Sequence, residues 1–211
     1  MKEFNSENIT KKSDLAVSDS ISAYLSHSAQ QNHYAYEAFY NLIKDIKPKR
    51  IIEIGTAMGG FTLFLKFCCD DLELNTEIIS YDVSGRESYE FIRSNGVDIR
   101  VKDMFFQNYE GVNDELINLI IEEGVCLVLC DGGHKISEFN LLSKYIKSGD
   151  IIMAHDYADN IEHFKNNIEY KYWNWLEITD NDISDACLLN NLVSYRKDEF
   201  DKAVWVCKIK E

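Results

Sequence analysis

The chain has 211 residues, 45% of them hydrophobic and 27% charged, a length and composition that suit one globular domain able to bury a core without disulfides or a structural metal. Its formal charge of −14, from 22 basic against 36 acidic side chains, opposes a nucleic-acid backbone as partner. No apolar run reaches the length of a membrane span, and the polar start MKEFNSENITKK lacks the apolar core of a signal peptide, so the expectation is a cytoplasmic protein with no membrane partner.

Ten glycines and the single Pro48 leave little room for a linker, so residues 1–211 read as one domain. The six cysteines, at 68, 69, 126, 130, 187 and 207, mostly sit inside apolar runs without C-x-x-C spacing and read as buried thiols. The cluster Lys47, Lys49 and Arg50 reads as a solvated corner between helix and strand.

Within the domain, residues 1–48 are expected to supply N-terminal helices that cover the active site, 49–156 a ligand-binding core, and 157–211 an acceptor-side segment with a closing hairpin. Helical patterns fall near 14–27 and at 32–46. In the second, Tyr36, Phe39, Tyr40, Ile43 and Ile46 recur at spacings of three and four, with Asn32 as N-cap. His27, His33, Tyr34 and Tyr36 are candidates for a pocket wall, against the alternative of plain packing.

After Pro48 the stretch 51–60, IIEIGTAMGG, reads as a buried strand, a glycine turn and the start of the helix that runs to about Cys69. This order places backbone N–H groups near a helix N-terminus, where a carboxylate or phosphate is stabilised. The Gly-x-x-x-Gly-Gly spacing departs from the dinucleotide fingerprint G-x-G-x-x-G. A bare βα loop without ligand is the alternative.

A second strand, 77–82, ends in Asp82, which is placed to accept hydrogen bonds from ribose hydroxyls. A short helix follows, then a strand at 97–101, with Asp103 and Met104 beyond it where an adenine edge and face would lie. The pattern NDELINLIIEE is helical and stops at Gly124. VCLVLCD at 125–131 is an almost unbroken apolar run ending in a carboxylate, as in a parallel strand covered on both faces. A helix with Ile136, Phe139, Leu142 and Ile146 on one face leads to DIIMAHD at 150–156, a fifth strand of the same plan.

Residues 157–191 lose this regularity, and their Tyr157, Tyr170, Tyr172, Trp173 and Trp175 offer flat surfaces suited to sugars or aromatic rings. LVSYR at 192–196 and AVWVCKI at 203–209 read as a hairpin. The fold class is therefore α/β: a Rossmann-like open sheet of seven strands, mostly parallel with a C-terminal antiparallel hairpin, and helices on both faces.

Strand carboxyl ends share one crevice in such a sheet, which brings Asp131 and His134 toward His155 and Asp156. Strands about 5 Å apart let Asp131 and Asp156 share a divalent cation, which would lower the pKa of a hydroxyl whose proton His134 removes. The alternative has both aspartates as helix caps and both histidines as wall residues.

The segments EIGTAMGG at 53–60, SYD at 80–82, KDM at 102–104, CDGGHK at 130–135 and GDIIMAHD at 149–156 resemble the class I S-adenosylmethionine-dependent methyltransferases, most closely the metal-assisted O-methyltransferases of sugars and natural products. The resemblance implies that Glu53, Gly55 and Gly59, with Thr56 and Gly60 in the same turn, shape the cofactor site around its methionine portion. It implies that Asp82 holds the ribose and that Asp103 and Met104 flank the adenine. It also implies Asp131 as a magnesium ligand bordering the cofactor and His134 as general base, with two acids after the fifth strand as further ligands. This chain carries His155 and Asp156 there. An imidazole suits softer transition metals better than Mg²⁺, so the cation expected at Asp131, His155 and Asp156 is Mg²⁺ or Mn²⁺ with its identity open. The implied acceptor is a small-molecule hydroxyl, of a sugar or another natural product, and a homo-oligomer stays open. Three other readings stay open as well: an NAD(P)-dependent oxidoreductase, which the glycine spacing and the lack of a Tyr-x-x-x-Lys pair after the fourth strand oppose; a nucleic-acid or protein methyltransferase; and a noncatalytic α/β interaction module.

Overall fold

The structure is a computed structural model that describes residues 4–10, 22–106 and 108–211. Its centre is a seven-stranded sheet of β1 (Arg50–Ile54), β2 (Glu77–Asp82), β3 (Asp98–Val101), β4 (Cys126–Cys130), β5 (Ile151–His155), β6 (Leu192–Ser194) and β7 (Trp205–Lys210). The spatial order is β6-β7-β5-β4-β1-β2-β3. The pairs from β3 across to β5 are parallel, and β7 runs antiparallel to both β5 and β6. This is the expected Rossmann-like sheet with its closing antiparallel hairpin.

Among the described residues, the longer helices that flank it are α1 (His33–Ile46), α2 (Gly60–Asp71), α3 (Ser88–Ser94), α4 (Asp114–Ile121), α5 (Lys135–Leu142) and α6 (Asp180–Leu189). The pleat divides the strands between two cores. Ile51, Leu127, Leu129, Ile151 and Met153 pack with the apolar faces of α1 to α3. Ile52, Val128, Cys130, Ile152 and Ala154 pack with Leu116, Ile120, Phe139 and Leu142 of α4 and α5. Helices therefore cover both faces, which is why the strands are nearly unbroken apolar runs. All six cysteines are free, and only Cys187 is not fully buried.

Asn32 caps α1 through the Tyr34 N–H, as its sequence position predicts. The helix expected near 14–27 is not formed where the chain can be seen. Residues 14–21 lie outside the described residues, while Ala23–Tyr24 and His27–Ser28 pair as short antiparallel strands. Leu25 and Ser26, with φ of 47° and 69°, make the two-residue turn between them, and that backbone cannot continue a right-handed helix.

Arg50 also departs from the solvated corner expected of it. It is 2% exposed and donates to Glu77, Glu122 and the Leu119 carbonyl, whereas Lys47 and Lys49 are exposed. The Arg50 side chain is packed away from water, so its charge is met by acids from β2 and the end of α4. Among the described residues, no helix is long and apolar enough to cross a membrane.

Candidate active site

The sheet order reverses between β1 and β4, so the segments that leave these two strands diverge and open a crevice at their carboxyl ends. The Asp131 N–H donates to the Ile54 carbonyl at 2.9 Å, which places the glycine turn against the Asp131 loop. Gly55 sits at φ +96°, and a Cβ there would lie 2.2 Å from the Asp131 carbonyl oxygen. The glycine is thus required by the chain's own close approach at the switch point.

The turn itself is tightly self-bonded. The Gly55 and Thr56 N–H groups donate to the Tyr81 carbonyl, Gly59 N–H to the Thr56 carbonyl, and Ala57 N–H to Asp82 Oδ2 at 2.9 Å. These four groups are not an open anion cradle. A Cβ on Gly60 would strike the His27 and Ser28 backbone, so that glycine makes room for the N-terminal strand pair.

Two cavities meet here. The first is bounded by Gly55, Asp82, Asp103, Met104, Tyr109 and the Asp131–Gly133 loop. Asp82 Oδ1 also accepts from the Ser84 N–H, and Asp103 Oδ1 from the Phe105 N–H, so both carboxylates are fixed at strand ends. Met104 and Tyr109 offer apolar surface between them. Carboxylates at the strand ends beside such surface suit a nucleoside: hydroxyls on the first acid and a flat base against the apolar wall.

Glu53, Thr56, Gly59 and Gly60 do not line this cavity. They lie beneath or behind it. Glu53 is 2% exposed and accepts from the Thr62 and Ser80 hydroxyls, tying β1, α2 and β2 together under the turn. Burial pushes its carboxyl up to about 7.

The second cavity is bounded by Gln30, Lys135, His155, Asp156, Trp173 and Trp175, together with Asp131, Gly132 and Glu177. Asp131 and Gly132 are common to both cavities. His155 Nδ1 lies 3.1 Å from Asp131 Oδ1 and 3.6 Å from Asp156 Oδ1. The imidazole is sandwiched by Trp205, stacked at 4.9 Å, and Trp173 at 5.0 Å. Burial alone would lower its pKa, but Asp156 and Asp131 carry it upward. Asp131 is pushed up by burial, against the pull of His155 and Lys135. Asp156, despite its burial, is held low by His155 and Lys135.

The ligand atoms of Asp131, His155 and Asp156 all lie within 4.8 Å of one another, close enough to hold a divalent ion. Their N/O donor set suits a first-row transition metal at least as well as Mg²⁺.

The expectation that His134 faces this cluster is not met. His134 precedes α5 and is exposed, its ring rests 4.5 Å from that of Tyr109, and it borders neither cavity. The cluster's imidazole is that of His155. The turn into α5 directs the next residue inward instead: Lys135 Nζ bonds Asp156 Oδ2 and Glu177 Oε2, both at 2.9 Å, and the Gly132 carbonyl at 3.1 Å.

Sequence reasoning also missed Gln31 and Glu138. Gln31, wholly buried, donates to Asp131 Oδ2 at 2.9 Å and accepts from the Trp205 indole at 2.8 Å. Glu138 accepts from the Gly132 and His134 N–H groups and pins the loop, with burial pushing its carboxyl up to about 7. Its i+4 spacing from His134, at the first turn of a helix, is the signal that could have revealed it.

Of the aromatic candidates, Trp173 and Trp175 border the second cavity. Tyr157 is buried with its hydroxyl on Asp159 and Asp180, Tyr172 packs edge-on against Tyr34, and Tyr170 is exposed. Tyr36 is a core residue bonded to Ser22, and His27 stacks on Phe91.

Residues 21–175 match the protein family described as rhamnosyl O-methyltransferase/CmcI. Among solved structures, the chain is similar to a CmcI form described as D160 with Mg and SAM, at 12% identity and a TM-score of 0.59, covering 90% of this chain and 76% of that one. It is also similar to the N160 form of CmcI with SAH, at 9% identity and a TM-score of 0.55, with 90% and 82% covered. An O-methyltransferase family protein from Burkholderia thailandensis aligns at 9% identity and a TM-score of 0.53, with 84% of this chain and 55% of that chain covered. No curated protein matches the chain in sequence.

Proposed function

This chain belongs to the rhamnosyl O-methyltransferase/CmcI family, and we propose that it methylates a sugar hydroxyl held in the second cavity, at the point where Asp131 separates it from the cofactor. It is an S-adenosylmethionine-dependent O-methyltransferase of small-molecule hydroxyls. The observation that carries the finer reading is the sharing of Asp131 and Gly132 by both cavities, one with the strand-end acids Asp82 and Asp103 and the other with Trp173 and Trp175 beside charged groups.

When bound, the cofactor supplies a sulfonium methyl, which the acceptor oxygen takes as the S–C electron pair returns to sulfur. The protein's work is alignment and proton acceptance. Asp82 takes the ribose hydroxyls, and Met104 with Asp103 takes the base. Trp173 and Trp175 give a sugar its flat contact surface, while Lys135 and Glu177 give it hydrogen-bonding partners.

Proton acceptance falls to Asp131, which borders both cavities and is backed by His155 Nδ1 at 3.1 Å. A divalent ion, where present, would be held by Asp131, His155 and Asp156 and would supply Lewis-acid polarisation of the hydroxyl.

The test is methyl transfer to a panel of free and glycosidic deoxysugars and catechols, followed by mass spectrometry. Asp131→Asn is expected to lower turnover by about 10²-fold or more, with cofactor affinity changed much less, and His134→Gln to stay within a few-fold of wild type. A large loss in His134→Gln with Asp131→Asn unaffected would move the base to His134 and require the Gly132–Gly133 loop to refold around the bound ligands.

A further inference from the structure

The carboxylates that would hold a divalent ion are already satisfied by protein donors. Asp131 Oδ2 accepts from Gln31 Nε2 at 2.9 Å, and Oδ1 faces His155 Nδ1 at 3.1 Å. Asp156 Oδ1 accepts from the Trp173 indole, and Oδ2 meets Lys135 Nζ at 2.9 Å. Asp156 is held for this at φ +58°, a backbone that a non-glycine residue adopts at a cost.

The ammonium sits where a metal would be drawn. Glu177 Oε2 lies 2.9 Å from Nζ, the Gly132 carbonyl 3.1 Å and Asp131 Oδ1 3.8 Å, and the Lys135 side chain is only 7% exposed. Asp156, Glu177 and the Gly132 carbonyl surround one buried cation at the separations of N–H···O bonds, with Asp131 at a longer ion-pair distance. A divalent ion bound to Asp131, His155 and Asp156 would stand beside this ammonium and be repelled by it.

We propose that Lys135 is the resident cation of the acceptor pocket: its ammonium donates to the acceptor oxygen, and a divalent ion enters the Asp131, His155 and Asp156 cluster only by displacing it. The ammonium's three donors are taken by Asp156, Glu177 and the Gly132 carbonyl, so it orients the hydroxyl by exchanging its bond to the exposed Glu177 carboxylate, and it offsets the negative charge that builds on oxygen as Asp131 takes the proton. Methyl transfer then proceeds without added metal. This inference rests on the second cavity being the acceptor site.

The experiment is calorimetric titration with Mn²⁺ alone, on chelator-treated wild type and on Lys135→Met, which keeps the length of the stem and removes the charge. Wild type is expected to bind Mn²⁺ at least ten-fold more weakly than Lys135→Met, and purified wild type to carry well under one metal ion per chain by elemental analysis. Equal Mn²⁺ affinities, or a stoichiometric metal in purified wild type, would overturn the proposal. Should Lys135→Met fail to fold, elemental analysis and activity of wild type after exhaustive chelation decide it alone: full activity without metal supports the resident ammonium, and loss restored by Mn²⁺ overturns it. S-adenosylmethionine binding, which involves the other cavity, is titrated in parallel. A protein that binds the cofactor and excludes Mn²⁺ but methylates no sugar refutes the acceptor reading and leaves the metal exclusion standing.

Discussion

Replacing Glu53 by Gln tests whether a buried acid beneath the glycine turn makes this protein's stability depend on pH. Burial moves the Glu53 carboxyl from its ordinary 4.5 up to about 7, even with the Thr62 and Ser80 hydroxyls donating to it. Between those values the folded chain holds a proton that the unfolded chain releases. The stability linked to this proton is therefore complete below pH 4.5 and is lost as pH rises through 7. At about 1.4 kcal/mol per pH unit the loss amounts to ~3 kcal/mol. Gln is neutral throughout, and its amide oxygen can receive both hydroxyls. Glu138, buried and raised in the same direction, is present in both proteins and cancels from the comparison. Urea titrations from pH 5 to pH 8 should show wild type losing ~3 kcal/mol relative to Glu53→Gln. Parallel pH profiles for the two proteins would refute the reasoning, because Glu53 would then titrate alike in the folded and unfolded chains.

Three further substitutions probe the crevice. Asp82→Ala removes the acceptor for the Ala57 and Ser84 N–H groups along with the proposed ribose contact, and should weaken S-adenosylmethionine binding by at least ten-fold in calorimetry while the protein stays folded. Gly55→Ala forces a side chain into φ +96° and against the Asp131 carbonyl, so thermal denaturation should show a loss of about 2 kcal/mol or more. Gln31→Met leaves Asp131 Oδ2 and the Trp205 indole without their partner, costing about 2 kcal/mol in urea denaturation, and should slow methyl transfer more than it weakens cofactor binding.

The parallel core was legible because its signals are local. Each strand is an apolar run, each βα connection is short, and repeated βα units make an open, mostly parallel sheet with right-handed crossovers. Gly55, Asp82, Asp103, Met104 and Asp131 were placed by the same rule, since strand carboxyl ends must share a crevice. The sequence was less informative about which neighbour turns inward. His134 and Lys135 are adjacent, and chemistry favoured the imidazole as the functional group. What decides their directions is the backbone before α5, with His134 at φ −141° and ψ 56°, and acids delivered by Asp156 and Glu177 from outside the motif. Gln31 was illegible for the same reason: its partners lie 100 and 174 residues away. The segment 157–191 defied a period because it is built from pieces: a two-residue strand pair, a helical turn passing into a π-helical one, and the ten-residue α6.

This division between local and distant determinants has a chemical consequence. The cavity proposed for the cofactor is made by loops of the parallel core, whose geometry the sheet dictates. The second cavity, proposed for the acceptor, draws Asp131, Gly132, Lys135, His155 and Asp156 from that core, while the rest of its wall comes from Gln30 before α1 and from Trp173, Trp175 and Glu177 beyond β5. Asp131 is held from three sides: through its backbone by β1, through Oδ2 by the N-terminal segment, and through Oδ1 by the end of β5. On the proposed reading, a shift of the outer segments changes which acceptor fits without moving the cofactor, whereas a shift of Asp131 disturbs both. The group placed to meet both reactants is then anchored in the sheet, and the groups that would choose between acceptors are carried largely on segments that the sheet does not constrain.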